Sequence, residues 1–480
     1  MSNVPSARPT AALSRAALAG VDGERWRAPP VRIVHIGLGV FHRAHQAWFT
    51  DHARDGAEWG IAAFTGRNPR AALQLAAQDG LFTLIERAAV RDTASIVASI
   101  AEAVDGADLE RFLALLSSPS TAIVTLTVTE AGYRLTPTGQ PNPVDSMLSS
   151  DLRYIAAATR RRHLLPRSSG GPQTALGRLL LGLEARRRDD GGPIAIVPCD
   201  NIPNNGGFVA SGLTSMASRT DDQLAIWIDR NVSFVSTSVD RMTPEISLAD
   251  AITAELLTGW QDHAPVVTEP FKDWVLSGNF PAGRPAWETE GAQFVSDIEP
   301  FERRKLWLLN GAHSLLAYVG LCRGHETVAD AMADQLCLNL VNEYWDEAAR
   351  HLPTDELDVV SYRAALVERL ENPRIEYRLR QIATDGLTKL RVRIVPVVLA
   401  ERADGHTAVA SIRGLGAWLV LILAGAELVD TEAEAITVAA SNRFNTAVEE
   451  LTSLVEPRLL EDSFVMTSLR EIASESGYAR

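Results

Sequence analysis

Two kinds of hydrophobic pattern divide the chain. In the first half, short runs of β-branched and other apolar residues alternate with stretches whose apolar positions recur at three and four. Val31–Ile36 reads VRIVHI between Pro30 and Gly37, the pattern of a strand buried on both faces in a parallel sheet. Similar runs predict strands at 59–65 (WGIAAFT), 82–86, 94–100, 121–128 (TAIVTLTV), 194–198 and 232–239. Helical spacing is found in 42–54, 107–116 and 174–187. Strand and helix alternating over this length predict a mostly parallel sheet covered by helices on both faces. Stretches 167–173 and 189–193, rich in Gly, Ser and Pro, are expected to be surface connections within that domain.

From about Pro300 the pattern becomes helical. Residues 305–321, 328–352, 358–371 and 431–453 each predict a helix, with few convincing strands between them. An α/β domain is therefore expected to precede an α-helical one, with the boundary between Asp240 and Pro300. The most apolar stretch, 415–426 (LGAWLVLILAGA), is too short to span a bilayer and predicts a buried helix.

Composition narrows the function. The 480 residues carry 46 Lys and Arg against 60 Asp and Glu, a formal charge of −14. Such a chain repels phosphate backbones, so nucleic acid is not an expected partner. Cys199, Cys322 and Cys337 are too scattered for a zinc cluster or a disulfide framework and predict reduced thiols in a cytoplasmic protein. Residues 1–30 mix Ala, Pro, Arg and acids without a continuous apolar core, so no targeting signal is expected.

Four motifs carry candidate chemistry. Gly37-Leu38-Gly39-Val40-Phe41-His42 follows the first strand: Gly37 suits a tight strand-to-helix turn, and Gly39 lets a pyrophosphate approach the helix N-terminus. His42 stands where the usual third glycine would be. At the end of the second strand, TGRNPR lacks the acid that holds a ribose hydroxyl; Arg67 and Arg70 either meet a 2′-phosphate or are solvated. Lys305, Asn310 and His313 lie in KLWLLNGAH, where helical spacing puts Lys305, Leu309 and His313 on one stripe with Asn310 beside it. Burial lowers a lysine pKa, so this is either a general base with hydrogen-bonding helpers or an exposed lysine near a core histidine. Asn201, in CDNIPNNG after the 194–198 strand, either donates to an alcohol oxygen or belongs to a plain turn; Asp240, in VDRMTP, either orients a substrate hydroxyl or pairs with Arg241.

Together these stretches resemble the long-chain polyol dehydrogenase family, which includes mannitol 2-dehydrogenase, arabinitol dehydrogenase and the fructuronate and tagaturonate reductases. The resemblance runs in order from about Val31 to Leu390, through IVHIGLGVFHRAHQAWFTDHA, AAQDGLFTLIER, AIVTLTVTEAGY, CDNIPNNG, VDRMTP, EPFKDWVLSGNFPAGRPAWE and AQFVSDIEPFERRKLWLLNGAHSLLAYVGLCRGHETVADAMAD. It implies a Rossmann-type nicotinamide-binding domain over 28–295, an α-helical substrate domain over 296–480, and an active site in the cleft between them. It further implies metal-free hydride transfer between NAD and a secondary alcohol, with NADP left open. By motif position, Lys305 matches the general base and Asn201 and Asn310 the pair holding the reacting oxygen. His313 matches a residue that positions the substrate, Asp240 and Lys389 substrate contacts, and Glu302 a carboxylate near the proton path. Gln381 stands where polyol-specific members carry a basic residue, which bears on how the far end of a substrate is held.

The preferred expectation is a polyol dehydrogenase of the mannitol or arabinitol type, a monomer with no membrane or nucleic-acid partner. The alternatives are a sugar-acid reductase and a nicotinamide-binding sensor without catalysis. The complete set of Lys305, Asn310, His313 and Asn201 argues against the sensor.

Overall fold

The computed structural model describes residues 11–22, 26–164, 170–353 and 357–475. The chain divides into two compact units, Met1–Ile298 and Glu299–Arg480.

In the first unit six strands form one sheet: β1 (Val31–Ile36), β2 (Gly60–Phe64), β3 (Ile100–Val104), β4 (Ile123–Leu126), β5 (Ile194–Pro198) and β6 (Val232–Phe234). Their order is 3-2-1-4-5-6 and every pairing is parallel. This is the doubly wound Rossmann order, in which ligands bind beyond the carboxyl ends of the strands where the order reverses, here between β1 and β4. Successive residues of each strand enter opposite cores. Ile33, Ala63, Ile123 and Val197 pack in one, and Val34, Ala62, Val124 and Ile196 in the other. Burial on both faces explains why β2, β4 and β5 are largely apolar rather than alternating.

Two expected strands are each two strands in different sheets. Residues 94–100 split into Asp92–Val97, which pairs antiparallel with Phe82–Arg87, and β3. The break is held by Asp51, which accepts from Ala98 N at 2.6 Å, and by Ser99 Oγ, which donates to Ala47 O at 2.7 Å. Residues 232–239 split into β6 and Ser236–Asp240, which pairs with Asp273–Ser277. At this break the start of a helix passes so close that a Cβ on Gly206 would lie 2.6 Å from Ser236 N. Apolar periodicity continues through both bends, so the pattern alone could not mark them. Of the expected loop 167–173, residues 167–169 lie outside the described ones.

The second unit is helical. Ala312–Cys322 is buried from Ala312 to Gly320 and packs against Val409–Leu423, the apolar segment expected to be a buried helix. The expected helix 328–352 is two, Val328–Ala333 and Gln335–Ala349. Asp334 leaves helical geometry and caps the second by accepting from Leu336 N, an arrangement that lets a short acidic side chain end one helix and begin another. The expected helix 431–453 is likewise two, Ala433–Ala440 and Phe444–Val455. Among the described residues no helix is long and apolar enough to cross a membrane.

Candidate active site

At the end of β1 the chain turns through Gly37, whose φ of +111° only glycine adopts without strain. A Cβ there would lie 2.5 Å from Thr127 O at the end of β4. Gly37 N and Leu38 N both donate to Phe64 O at 2.9 Å, which ties the ends of β1 and β2 together. Gly39 then opens a helix that runs from Val40 to His52. A Cβ on Gly39 would meet nothing nearer than Gly37 O at 3.6 Å, so the ground before the helix start is open to a ligand. The turn fits a pyrophosphate at a helix N-terminus. Val40 is exposed and Phe41 half-buried, while Leu38 is buried.

His42 explains the missing third glycine. In the usual fingerprint that glycine permits close helix–strand packing. Here the His42 ring lies flat on the ring of His35 in β1, with centroids 3.4 Å apart and planes 9° from parallel. Both side chains are fully buried, and burial holds His35 down at about 3 and His42 well below the usual histidine range. His35 bonds Thr125 Oγ1 at 2.8 Å and Thr127 Oγ1 at 3.1 Å. His42 therefore supports the turn from beneath. Arg67 and Arg70 are both exposed just beyond β2, with no acid between Thr65 and Arg70.

Asn201 is exposed on the loop that follows β5. Its neighbours fix that loop. Asn205, buried, accepts from Thr237 N at 2.8 Å and donates to Thr237 O at 3.0 Å. Asp200 accepts from Tyr133 Oη at 2.5 Å and from Ile202 N at 3.0 Å. Burial raises both the Asp200 carboxyl and the Tyr133 phenol. This pair was missed in the sequence, although Tyr133 follows β4 in the same way that Asn201 follows β5, and strand ends are where ligands bind. Asp240 ends the strand Ser236–Asp240 and is nearly buried. Arg241 turns its guanidinium to Glu86, to Ala44 O at 2.6 Å and to Glu269 O at 3.2 Å, so the loop is anchored by other partners than its neighbouring acid.

In the second unit the expected helix over 305–321 begins as a π turn, Lys305–Gly311, and becomes α only at Ala312. The expected stripe assumes α spacing throughout, which 305–311 does not have. In α geometry residues five apart point about 140° apart around the axis. Bonding from i to i+5 widens the turn and brings Lys305 and Asn310 nearer to one face than α geometry does. Burial agrees: Lys305, Leu306 and Asn310 are half-buried, whereas Trp307, Leu308 and Leu309 are buried. His313 follows three residues after Asn310 in the α segment, and its ring lies 5.2 Å from that of Tyr377. Glu302 lies three residues before Lys305 in the helix Glu299–Arg304.

Lys389 and Gln381 are also neighbours. Lys389 Nζ donates to Ile382 O at 2.9 Å and Thr384 Oγ1 at 3.3 Å, so its ammonium rests on the segment that carries the exposed Gln381. Burial, then the charge of Arg393, lowers its pKa. Among the described residues, His325, Asp334 and Cys337 are the side chains close enough to share a metal ion. Arg323 Nε already donates to the same Asp334 carboxylate at 2.5 Å, placing a cation where a metal would sit.

The comparisons with known proteins agree with the two-unit fold. The family model for the mannitol dehydrogenase Rossmann domain matches residues 31–289, and that for the mannitol dehydrogenase C-terminal domain matches 297–452. The chain is 35% identical over 436 residues to D-mannonate oxidoreductase of Escherichia coli (strain K12), covering 87% of this chain and 82% of that one. It is 33% identical over 395 residues to D-arabinitol 4-dehydrogenase of Ralstonia nicotianae, covering 80% and 81%. Its fold is similar to Pseudomonas fluorescens mannitol 2-dehydrogenase, solved as a ternary complex with NAD and D-mannitol, with a TM-score of 0.74, 29% identity and 98% of each chain covered. The chain belongs to the mannitol dehydrogenase family.

Proposed function

We propose that this chain is an NAD-dependent oxidoreductase that interconverts a sugar alcohol and its ketose, acting at one secondary alcohol carbon. The observation that carries the reading is the wide turn that begins at Lys305 and brings Asn310 nearer to its face than α spacing would, with His313 three residues on. A lysine and an amide so placed suit an alcohol oxygen that loses its proton as its carbon loses hydride. Lys305, uncharged, takes the proton; the Asn310 amide donates to the oxygen as negative charge builds on it, and Asn201 supplies a second donor. His313 orients the hydroxyl, Glu302 passes the proton on from Lys305, and Asp240, Gln381 and Lys389 hold the rest of the substrate. No metal ion is needed, because the two amides do the work a Lewis acid would do. The nicotinamide supplies the hydride acceptor. Residues 37–42 cradle its pyrophosphate, with His42 acting through its stack on His35, and Arg67 faces the adenosine ribose. The relatives named for mannitol and arabinitol support a neutral polyol as substrate. A second reading, a sugar acid, is favoured by the likeness to D-mannonate oxidoreductase. Three free thiols suit a cytoplasmic protein, and a monomer is proposed.

The test is the absorbance of reduced nicotinamide, with NAD and NADP separately, against a panel of polyols and sugar acids in both directions. Turnover of mannitol, arabinitol or another neutral polyol with NAD is expected. Turnover of uronates or aldonates only would move the second reading to first place, and binding of NAD without any turnover would overturn both.

A further inference from the structure

A π turn is rare because widening the helix weakens its own bonding, and it persists where the surroundings support it. The Lys305–Gly311 turn is supported from outside at three carbonyls. Tyr344 Oη donates to Trp307 O at 3.1 Å, sharing its proton with Arg393 O at 3.0 Å. Trp345 Nε1 donates to Leu308 O at 2.7 Å. Arg393 Nη1 donates to Asn310 O at 3.2 Å and to Ser314 Oγ at 3.1 Å, spanning the junction where π bonding gives way to α. Tyr344 and Trp345 are consecutive residues of Gln335–Ala349 and both are fully buried. The turn is shaped to receive them: a Cβ on Gly311 would lie 2.0 Å from Tyr344 Oη, so only glycine lets the phenol reach this place.

We propose that Tyr344, Trp345 and Arg393 are positioning residues for the reaction, holding 305–311 in its wide turn and so keeping Lys305 and Asn310 nearer one face than α geometry would. The proposal rests on the roles given above to Lys305 and Asn310. Without these donors the segment relaxes towards α bonding, and Asn310 swings away from Lys305 by a large part of the 140° or so that separates them in a regular helix. A carbonyl–donor bond seldom decides catalysis, but one that sets the direction of an oxyanion donor acts on the transition state directly.

The test compares Tyr344→Phe, Trp345→Phe and Arg393→Met with the wild type. Each is expected to lower kcat about tenfold or more, since a misplacement near 1 Å costs up to about a hundredfold. The dissociation constant for NADH should stay within about twofold of wild type. Arg393→Lys, which keeps a donor, is expected to recover part of the loss. Tyr344→Phe added to Asn310→Ala should cost little more than Asn310→Ala alone, because the clamp acts through that residue. A folded Tyr344→Phe or Arg393→Met with wild-type kcat would overturn the proposal, as would losses that add in full to that of Asn310→Ala. Lys305→Ala separates the two levels. Retained turnover there removes the base assignment itself; loss of turnover there, beside wild-type clamp variants, removes the clamp alone.

Discussion

The turns Arg43–Ala47 and Lys305–Gly311 are the two places among the described residues where helical bonding widens to i→i+5, one in each unit. The first is buried at every residue, and its carbonyls are met by buried or structural donors: Arg241 on Ala44 O at 2.6 Å and Ser99 on Ala47 O at 2.7 Å. It follows the glycine turn directly and seats the first helix on the sheet. The second is also met from outside at its carbonyls, yet it leaves its lysine and asparagine half-buried. The same backbone device thus serves packing in one unit and, on the proposed function, presents chemistry in the other. What differs is the residues on the open side of the turn, so substitutions at the second should damage turnover, and those around the first should damage folding and cofactor affinity.

The largest expected effect is on turnover at the second turn. Lys305→Ala should lower kcat/KM by about 10²–10⁴-fold, the usual contribution of a general base, while NADH titration by fluorescence gives an unchanged affinity. Weakened cofactor binding with normal turnover would reverse the roles of the two turns. Next comes Asn310→Ala, for which the loss of one oxyanion donor predicts about a hundredfold lower kcat, near 3 kcal/mol, with a stability change much smaller than that in urea unfolding. Around the first turn the effects shift to the fold. Gly37→Ala forces a side chain into positive φ and against Thr127 O, so its melting point should fall by the equivalent of about 1–3 kcal/mol, with cofactor affinity falling alongside.

The histidine stack comes last: there His42→Phe should differ from the wild type only in how stability depends on pH. The unfolded chain binds protons on His35 and His42 below about pH 6.5, whereas burial keeps His35 neutral down to about 3 and His42 neutral in the same direction. Stability should therefore be full above pH 6.5 and fall as the pH drops towards 3, by up to about 1.4 kcal/mol per pH unit for each ring. Neither ring nitrogen of His42 makes a well-formed hydrogen bond among the described residues, and its polar neighbour is the Gln46 side chain, so His42→Phe keeps the stack at little cost in hydrogen bonding. Urea unfolding at pH 7 and pH 5 should show a shallower fall in that variant than in the wild type, and NADH affinity close to wild type. His42→Ala, which removes the stack, should weaken NADH binding; an unaltered affinity would detach the stack from the glycine turn.

Much of the fold was legible because burial on both faces leaves a plain mark. The VRIVHI and IAIVP runs became β1 and β5 at the expected residues. Where a run bends out of one sheet into another, as at 232–239, the apolar pattern carries on and the bend is set by a distant backbone, that of Gly206. The breaks at Asp334 and at 98–99 come from capping and side-chain bonds that compete with regular structure, which periodicity does not weigh. For the site, the sequence sets Lys305, Asn310 and His313 together by α spacing, whereas 305–311 is a π turn. The π turn is met at its carbonyls by Tyr344, Trp345 and Arg393, which lie tens of residues away in the sequence. His42 was legible as an oddity in a glycine motif, and only its partner on β1 explains it.

The most direct measurement is a crystal structure of the chain with NADH and the polyol that it turns over, a dead-end pair that cannot react. The account predicts the reacting hydroxyl within about 2.6–3.2 Å of both Lys305 Nζ and the Asn310 side-chain nitrogen, with 305–311 still in its π turn. A hydroxyl bound by other groups, with Lys305 turned away or the segment relaxed to α bonding, would contradict it.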